Sequence, residues 1–209
     1  MMRLPHPAYA TFSVADGVVA LRAWSRDDAA FIVEASTDPA IQRYSVAHDP
    51  RGHPGAPPSI ADASTTIDDF TANWRAAETS GALTGVGFAI IEAASNDVVG
   101  QCGIDEWTTE EVAQIGYWLA PAARGRGYAT RAVRLLTSWL FEHGAARTFM
   151  TIVADNDASA AVALRAGFSH EGTMRDHGVW RDHRCDVMWF AALRDEWPPQ
   201  REGHPGSPR

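Results

Sequence analysis

One segment, residues 115–129, restricts what this chain can fold into more than any other: IGYWLAPAARGRGYA. An apolar run suited to a strand, Ile115 to Leu119, breaks at Pro121. Arg124-Gly125-Arg126-Gly127-Tyr128-Ala129 follows, and helical spacing begins there. Glycines at the mouth of a helix let the backbone approach a ligand closely while the unbonded N–H groups of the first turn point outward. Those donors, the positive end of the helix dipole and two arginines make a site for phosphate or pyrophosphate. The segment therefore points to a phosphorylated cofactor.

At 209 residues the chain is most simply one domain, long enough to bury a core, and its hydrophobic (45%) and charged (21%) fractions are those of a soluble globular protein. No stretch approaches the roughly 20 apolar residues that span a bilayer, so no membrane partner is expected. The first residues, MMRLPHPAYATFSVADG, lack the apolar core and cleavage site of a signal peptide, so a cytoplasmic location is expected. A net charge of −8 argues against nucleic acid as a partner. An acidic surface suits a cationic acceptor such as an amine, and it also serves solubility. All 18 Lys and Arg residues are arginine. Cys102 and Cys185 stand far apart, and the histidines, His177 and His183 among them, show no ligand pairing; no metal site is expected.

Residues 1–17 read as a loosely held lead-in, 18–197 as one domain, and 198–209, rich in proline, glycine and charge, as a disordered tail. Residues 18–24 alternate as a strand. Ser25 caps a helix through about Thr37, with Asp28 three residues on as in a capping box. A short helix is expected over 39–44, and residues 48–60 form a loop, since four prolines and two glycines in thirteen residues forbid regular structure. Such a loop is more often functional or mobile than accidental. Residues 64–79 carry Ile67, Phe70 and Trp74 on one helical stripe. Strands are predicted at 85–91, 98–107, 112–119, 147–153, 169–176 and 185–193, with helices at 127–143 and 156–165. The order requires an α/β (α+β) fold: a mixed central sheet of about seven strands with helices on both faces. Its middle contains a strand–helix–strand crossover.

Three phosphate-binding patterns compete for residues 124–129. A P-loop needs a lysine, and the chain has none; a dinucleotide fingerprint needs a third glycine where Thr130 stands. What remains is [Q/R]xxGx[G/A], present as Arg124, Gly127 and Ala129. With the strand before it and the amphipathic helix after it, this resembles the acetyl-CoA site of the GNAT-family N-acetyltransferases. Asn156-Asp157-Ala158-Ser159, closed by Gly167-Phe168 and followed by Glu171-Gly172 and Arg175, resembles the second half of that site. Residues 174–197, with a turn at Gly178 to Asp182 and the pair Glu196-Trp197, are similar to the closing hairpin of the Rim-type branch, which modifies ribosomal-protein N-termini. The resemblance covers roughly residues 18–197.

The resemblance implies a GNAT fold that binds acetyl-CoA and passes its acetyl group directly to an amine. Cofactor-binding residues would be Leu119, Ala120, Arg124, Gly125, Arg126, Gly127, Tyr128, Ala129, Asn156 and Ser159. A backbone N–H near Leu119 or Ala120, where the strand splays in this family, would polarise the thioester carbonyl. A carboxylate would take the amine's proton. Many Rim-type chains carry glutamate where this one has Gln114, which cannot act as a base. Asp105 and Glu106 on the neighbouring strand are the remaining acids near the cleft, while Glu110 and Glu111 belong to an exposed turn. Some relatives protonate the departing thiolate with a tyrosine seven residues after the helix-opening Asn; here that position is Ala163, and Ser159 is the replacement candidate. Each has a bland alternative: Asn156 as a helix cap, Ser159 as a second helix-start hydrogen bonder, ordered water as the base. Trp118, Trp139 and Trp189 read as core. Trp74, Trp107 and Trp180 stand near loops or strand ends and can line an amine pocket, with Gln114 as a positioning group.

The expected activity is therefore acetyl transfer from acetyl-CoA to a primary amine, by branch resemblance the N-terminal α-amine of a protein or peptide. A small amine (antibiotic, amino acid or polyamine) is the alternative acceptor, and a non-catalytic acyl-CoA-binding module the rival from another class. Dimers are common in the family, so a homodimer is compatible with this reading.

Overall fold

Three segments rich in buried residues, Leu83–Glu92 (β3), Val98–Trp107 (β4) and Val112–Leu119 (β5), pair antiparallel at the centre of an eight-stranded sheet. The computed structural model describes residues 9–45 and 48–197. On one side the sheet continues through Val19–Ala23 (β2) to Ser13–Ala15 (β1). On the other it runs through Arg147–Val153 (β6) to His183–Leu193 (β8) and Ser169–Trp180 (β7), giving the order β1-β2-β3-β4-β5-β6-β8-β7. Among the described residues only β5 and β6 run parallel, joined by the crossover helix Tyr128–Glu142 (α4).

Alternation divides the sheet's two faces. Phe88, Ile90, Cys102, Ile104 and Ile115 meet Val133, Leu136 and Leu140 of α4 in the larger core. On the opposite face Ala89 and Ile91 pack with Trp24, Ala29, Ala63 and Ile67, which belong to or adjoin Ala29–Ala35 (α1) and Ile60–Ser80 (α3). Pro39–Tyr44 (α2) lies between those helices in the chain, and Asp157–Ala166 (α5) packs beside α4. The capping box of Ser25 and Asp28 is present, as is a second at Ser59 and Asp62, which starts α3 four residues before the predicted position. No helix among the described residues is long and apolar enough to cross a membrane.

Two expectations change. Among the described residues the strand count is eight rather than about seven, because β1, inside the expected lead-in, pairs with β2. The described part of that segment, residues 9–17, is not loosely held: Tyr9 and Phe12 are buried, and the Phe12 ring stacks on Phe88 at 3.9 Å. A strand of three residues carries too little alternation to be read from sequence. The tail at 198–209 lies outside the described residues.

The proline-rich loop is fastened in place. Gly52 lies flat against the backbone of Val179 and Trp180, where a Cβ would come within 2.3 Å of the Val179 carbonyl. The N–H groups of Arg181 and Asp182 donate to the carbonyls of Gly52 and Arg51. His53 also meets the Asp182 carboxylate at 3.0 Å. The loop is thus clipped to the β7–β8 turn.

Candidate functional site

The sheet opens where its parallel pair ends. β5 and β6 are paired only from Val112 to Gln114 against Arg147 to Phe149; beyond that they diverge. The divergence forms the floor of a cleft of about 970 Å³ that reaches from α2 and α3 on one face of the sheet to the start of α4 and α5 on the other. The Ala120 N–H donates to Val99 of β4 at 3.0 Å. N–H directions alternate along an antiparallel strand, so those of Leu119 and Tyr117 point away from β4, into the opening. This corrects one expectation: Ala120, whose donor is already used, does not supply the N–H aimed at the cleft.

The turn after β5 has the form of an anion cradle. Gly125 and Gly127 sit at φ +76° and +79°, backbone that side-chain-bearing residues rarely adopt, and a Cβ at either would meet open space. Gly127 caps α4 without a side-chain acceptor, which leaves the first-turn N–H groups facing the cleft. Arg124, Gly125, Gly127 and Ala129 line the cleft, as do Leu119, Asn156 and Ser159. Arg124 is held from two sides, donating to the Leu119 carbonyl at 3.2 Å and to Asp38 at the start of α2 at 2.5 Å. Burial alone would raise the Asp38 carboxyl, but Arg124 and the α2 N–H groups more than offset it and hold it below the ordinary range. Arg126 and Tyr128 point away. Both side chains bond Glu92 at the end of β3, and the Arg126 guanidinium lies over the Tyr128 ring. Their contribution to an anion is confined to the backbone.

On the α1–α3 face, Asp105 sits at a bulge in β4, between the pairs Ile104↔Ile115 and Glu106↔Gln114. The bulge turns its carboxylate over Gly116, where a Cβ would lie 3.3 Å from Oδ2. It is open to the cleft, yet enough protein surrounds it that burial pushes its pKa up to about 6. No described residue forms an ion pair or hydrogen bond with it. Gln114 lines the same cleft and donates to Thr151 Oγ1 of β6 at 3.3 Å.

On the opposite face, one residue further along β5, Tyr117 reaches across the opening and places its hydroxyl 3.2 Å from Ser159 Oγ. Burial raises the Tyr117 pKa, so the hydroxyl stays protonated well past neutrality. Asn156 caps α5 by accepting the Ser159 N–H at 3.1 Å, which fixes where α5 presents that serine. Tyr117 was missed in the sequence because it lies inside an apolar strand, and only the splay exposes it.

Four expected site residues are elsewhere. Trp107 is fully buried on the α4 side, edge-on to Trp139, and takes no part in the cleft; Trp74 is core as well. Trp180 packs against His48 and beneath the Arg43 guanidinium, gripping the clipped loop rather than lining the cleft. Glu106 is exposed and does not line it. The aromatic residues that do are Tyr44, Phe70, Tyr117 and Trp118, the last stacked on Phe31 and Trp24. No group of three His, Cys, Asp or Glu among the described residues is arranged to hold a metal.

A central sheet parted beside a glycine-lined helix start defines a class of protein, and comparison with known proteins agrees. Residues 19–169 match the acetyltransferase (GNAT) domain, and the chain belongs to that family. It is 34% identical over 86 residues to the ribosomal-protein-serine acetyltransferase of Escherichia coli (strain K12), covering 41% of this chain and 48% of that protein. It is also 34% identical over 73 residues to the phosphinothricin N-acetyltransferase of Streptomyces coelicolor, covering 35% of this chain and 43% of that one. The chain thus spans about half the length of the curated relatives it matches. Among solved structures, Mycobacterium smegmatis RimJ in complex with CoA-disulfide superposes with a TM-score of 0.68 at 26% identity, over 88% of this chain and 85% of that one. Two of these relatives carry the names of Rim-type or ribosomal-protein acetyltransferases.

Proposed function

We propose that this chain transfers the acetyl group of acetyl-CoA to the N-terminal α-amine of a peptide or protein. The observation that carries the reading is the placement of Asp105 and of the Tyr117–Ser159 pair on opposite faces of β5, at adjacent residues Gly116 and Tyr117. Acetyl transfer needs a base on the acceptor side and a proton donor on the thiol side, and the strand separates the two.

The residues fit coenzyme A. The cradle at Gly125 and Gly127 suits the pyrophosphate, and Arg124 adds charge beside it. Leu119 and Tyr117 direct N–H groups at the opening, suited to amide and carbonyl oxygens. When bound, the cofactor supplies an acetyl thioester open to attack by an amine. Asp105, ionised above about pH 6, accepts the proton the amine loses. With acetyl-CoA held there, Ser159 would be the proton donor on the thiol side, and the Tyr117 hydroxyl, which donates to Ser159 Oγ, would replace the proton it gives up. The proton held by Asp105 then returns through solvent to Tyr117.

Peptide acceptance is supported by the Rim-type relatives, one of them named for a ribosomal protein. Similarity to phosphinothricin N-acetyltransferase favours a second reading, a small-amine acceptor. The test is thiol release from acetyl-CoA with a panel of peptides of varied first residue beside small amines. Release with peptides is expected; release with small amines alone selects the second reading, and binding of coenzyme A with no turnover on any amine rejects both.

A further inference from the structure

We infer that a row of three glycines beside Asp105 is the acceptor slot, built to take about three residues of an extended peptide and read by the Gln101 amide. The inference rests on the proposed acetyl transfer and specifies its substrate. Gly87 of β3 lies opposite Gly103 of β4, and Gly103 opposite Gly116 of β5. Residues directly opposite across a sheet share a face, so the α1–α3 side carries a line of glycines across three strands, open over Gly116 and Gly103 and closed over Gly87 by the side chains of Gln101 and Phe70.

The line ends in chemistry on both sides. At Gly116 stands the Asp105 carboxylate. At Gly87 lies the Gln101 amide, so close that a Cβ there would come within 2.7 Å of its Cδ and Oε1 and within 2.9 Å of Phe70. Trp24 Nε1 donates to Gln101 Oε1 at 3.1 Å. An indole N–H only donates, so the oxygen must face Trp24 and the Nε2 donors are turned away from it. No described residue accepts from Nε2, and Gln101 lines the cleft. A fixed donor of this kind calls for an oxygen acceptor on the ligand, as a backbone carbonyl provides.

The spacing sets the length. Two inter-strand steps separate Gly116 from Gly87, about 10 Å, which an extended chain covers in about three residues. A peptide with its amine at Asp105 brings its second or third carbonyl to Gln101. A single amino acid or small amine engages one end only.

The test is kcat/KM for acceptors that share one first residue: the amino-acid amide, then the di-, tri- and tetrapeptide amides. For the wild type the value is expected to climb at least tenfold up to three residues and then level off. In Gln101→Leu the ratio of tripeptide to amino-acid amide should fall to about one, with coenzyme A affinity by calorimetry confirming a folded cofactor site. Gly87→Ala should lower the same ratio. A flat wild-type series, or Gln101→Leu with the wild-type ratio, overturns the slot while leaving acetyl transfer standing; no thiol release with any acceptor overturns both. The wild-type series decides the matter even if a variant fails to fold.

Discussion

The Tyr117 hydroxyl lies 3.2 Å from Ser159 Oγ, joining β5 to the first turn of α5 across the gap where the sheet parts. Ser159 was expected to stand alone where relatives carry a tyrosine further along the helix. Here the tyrosine comes from the strand instead and acts through the serine. Tyr117→Phe should lower kcat by about tenfold to a hundredfold with little change in the KM for acetyl-CoA. Ser159→Ala should cost a similar factor. If the two form one relay, the double variant loses no more than either alone, and a steady-state double-mutant cycle measures this.

Asp105 should set the acid limb of the pH profile. Its pKa is raised to about 6, so kcat/KM should climb through that pH and level off above it. Stability runs the other way. The folded pKa exceeds the unfolded one, so the folded state loses stability as pH rises from near 3.8 to about 6 and carries that cost above it. Asp105→Asn should therefore raise the melting temperature at pH 7.5 while abolishing the limb and most of the turnover. A lower melting temperature in the variant would contradict this assignment.

Gly127→Asp should weaken coenzyme A binding at least tenfold, about 1.4 kcal/mol. The residue sits at φ +79° beside open space, so the change both strains the turn and puts a carboxylate where phosphate is expected. Unchanged affinity by isothermal titration would remove the cradle from the cofactor site.

Gly52→Ala should detach the proline-rich loop. The added methyl would collide with the Val179 carbonyl at 2.3 Å, and φ is +76°. A loss of roughly 2 kcal/mol is expected in urea unfolding. Limited proteolysis should then cut within residues 48–60 before any other described segment.

Most of the architecture was legible because it rests on local signals. Residues 112–119 and 147–153 carry alternation, and Ser25, Asn156 and Gly167 mark helix ends by cap chemistry that needs no tertiary partner. The cofactor loop was legible for the same reason, since backbone donors and glycines act within a few residues of each other. The acceptor side was not. Trp107 reads as a strand-end aromatic, and only the packing of α4 sends it into the core. Asp105 and Glu106 are neighbours of like charge, and a bulge one residue wide decides which carboxylate reaches Gly116. Tyr117 and the glycine row depend on strand register, which joins residues far apart in the chain.

Tyr9, in the segment expected to be a loose lead-in, donates its hydroxyl to the Gly87 carbonyl and accepts the Trp24 N–H. Trp24 in turn orients Gln101. A chain trimmed to begin at residue 19, where the family match starts, would keep the whole cofactor loop and lose the peg that sets the far end of the cleft. The domain boundary drawn by likeness and the boundary drawn by mechanics therefore differ, and anyone shortening this protein for crystals or assays should follow the second.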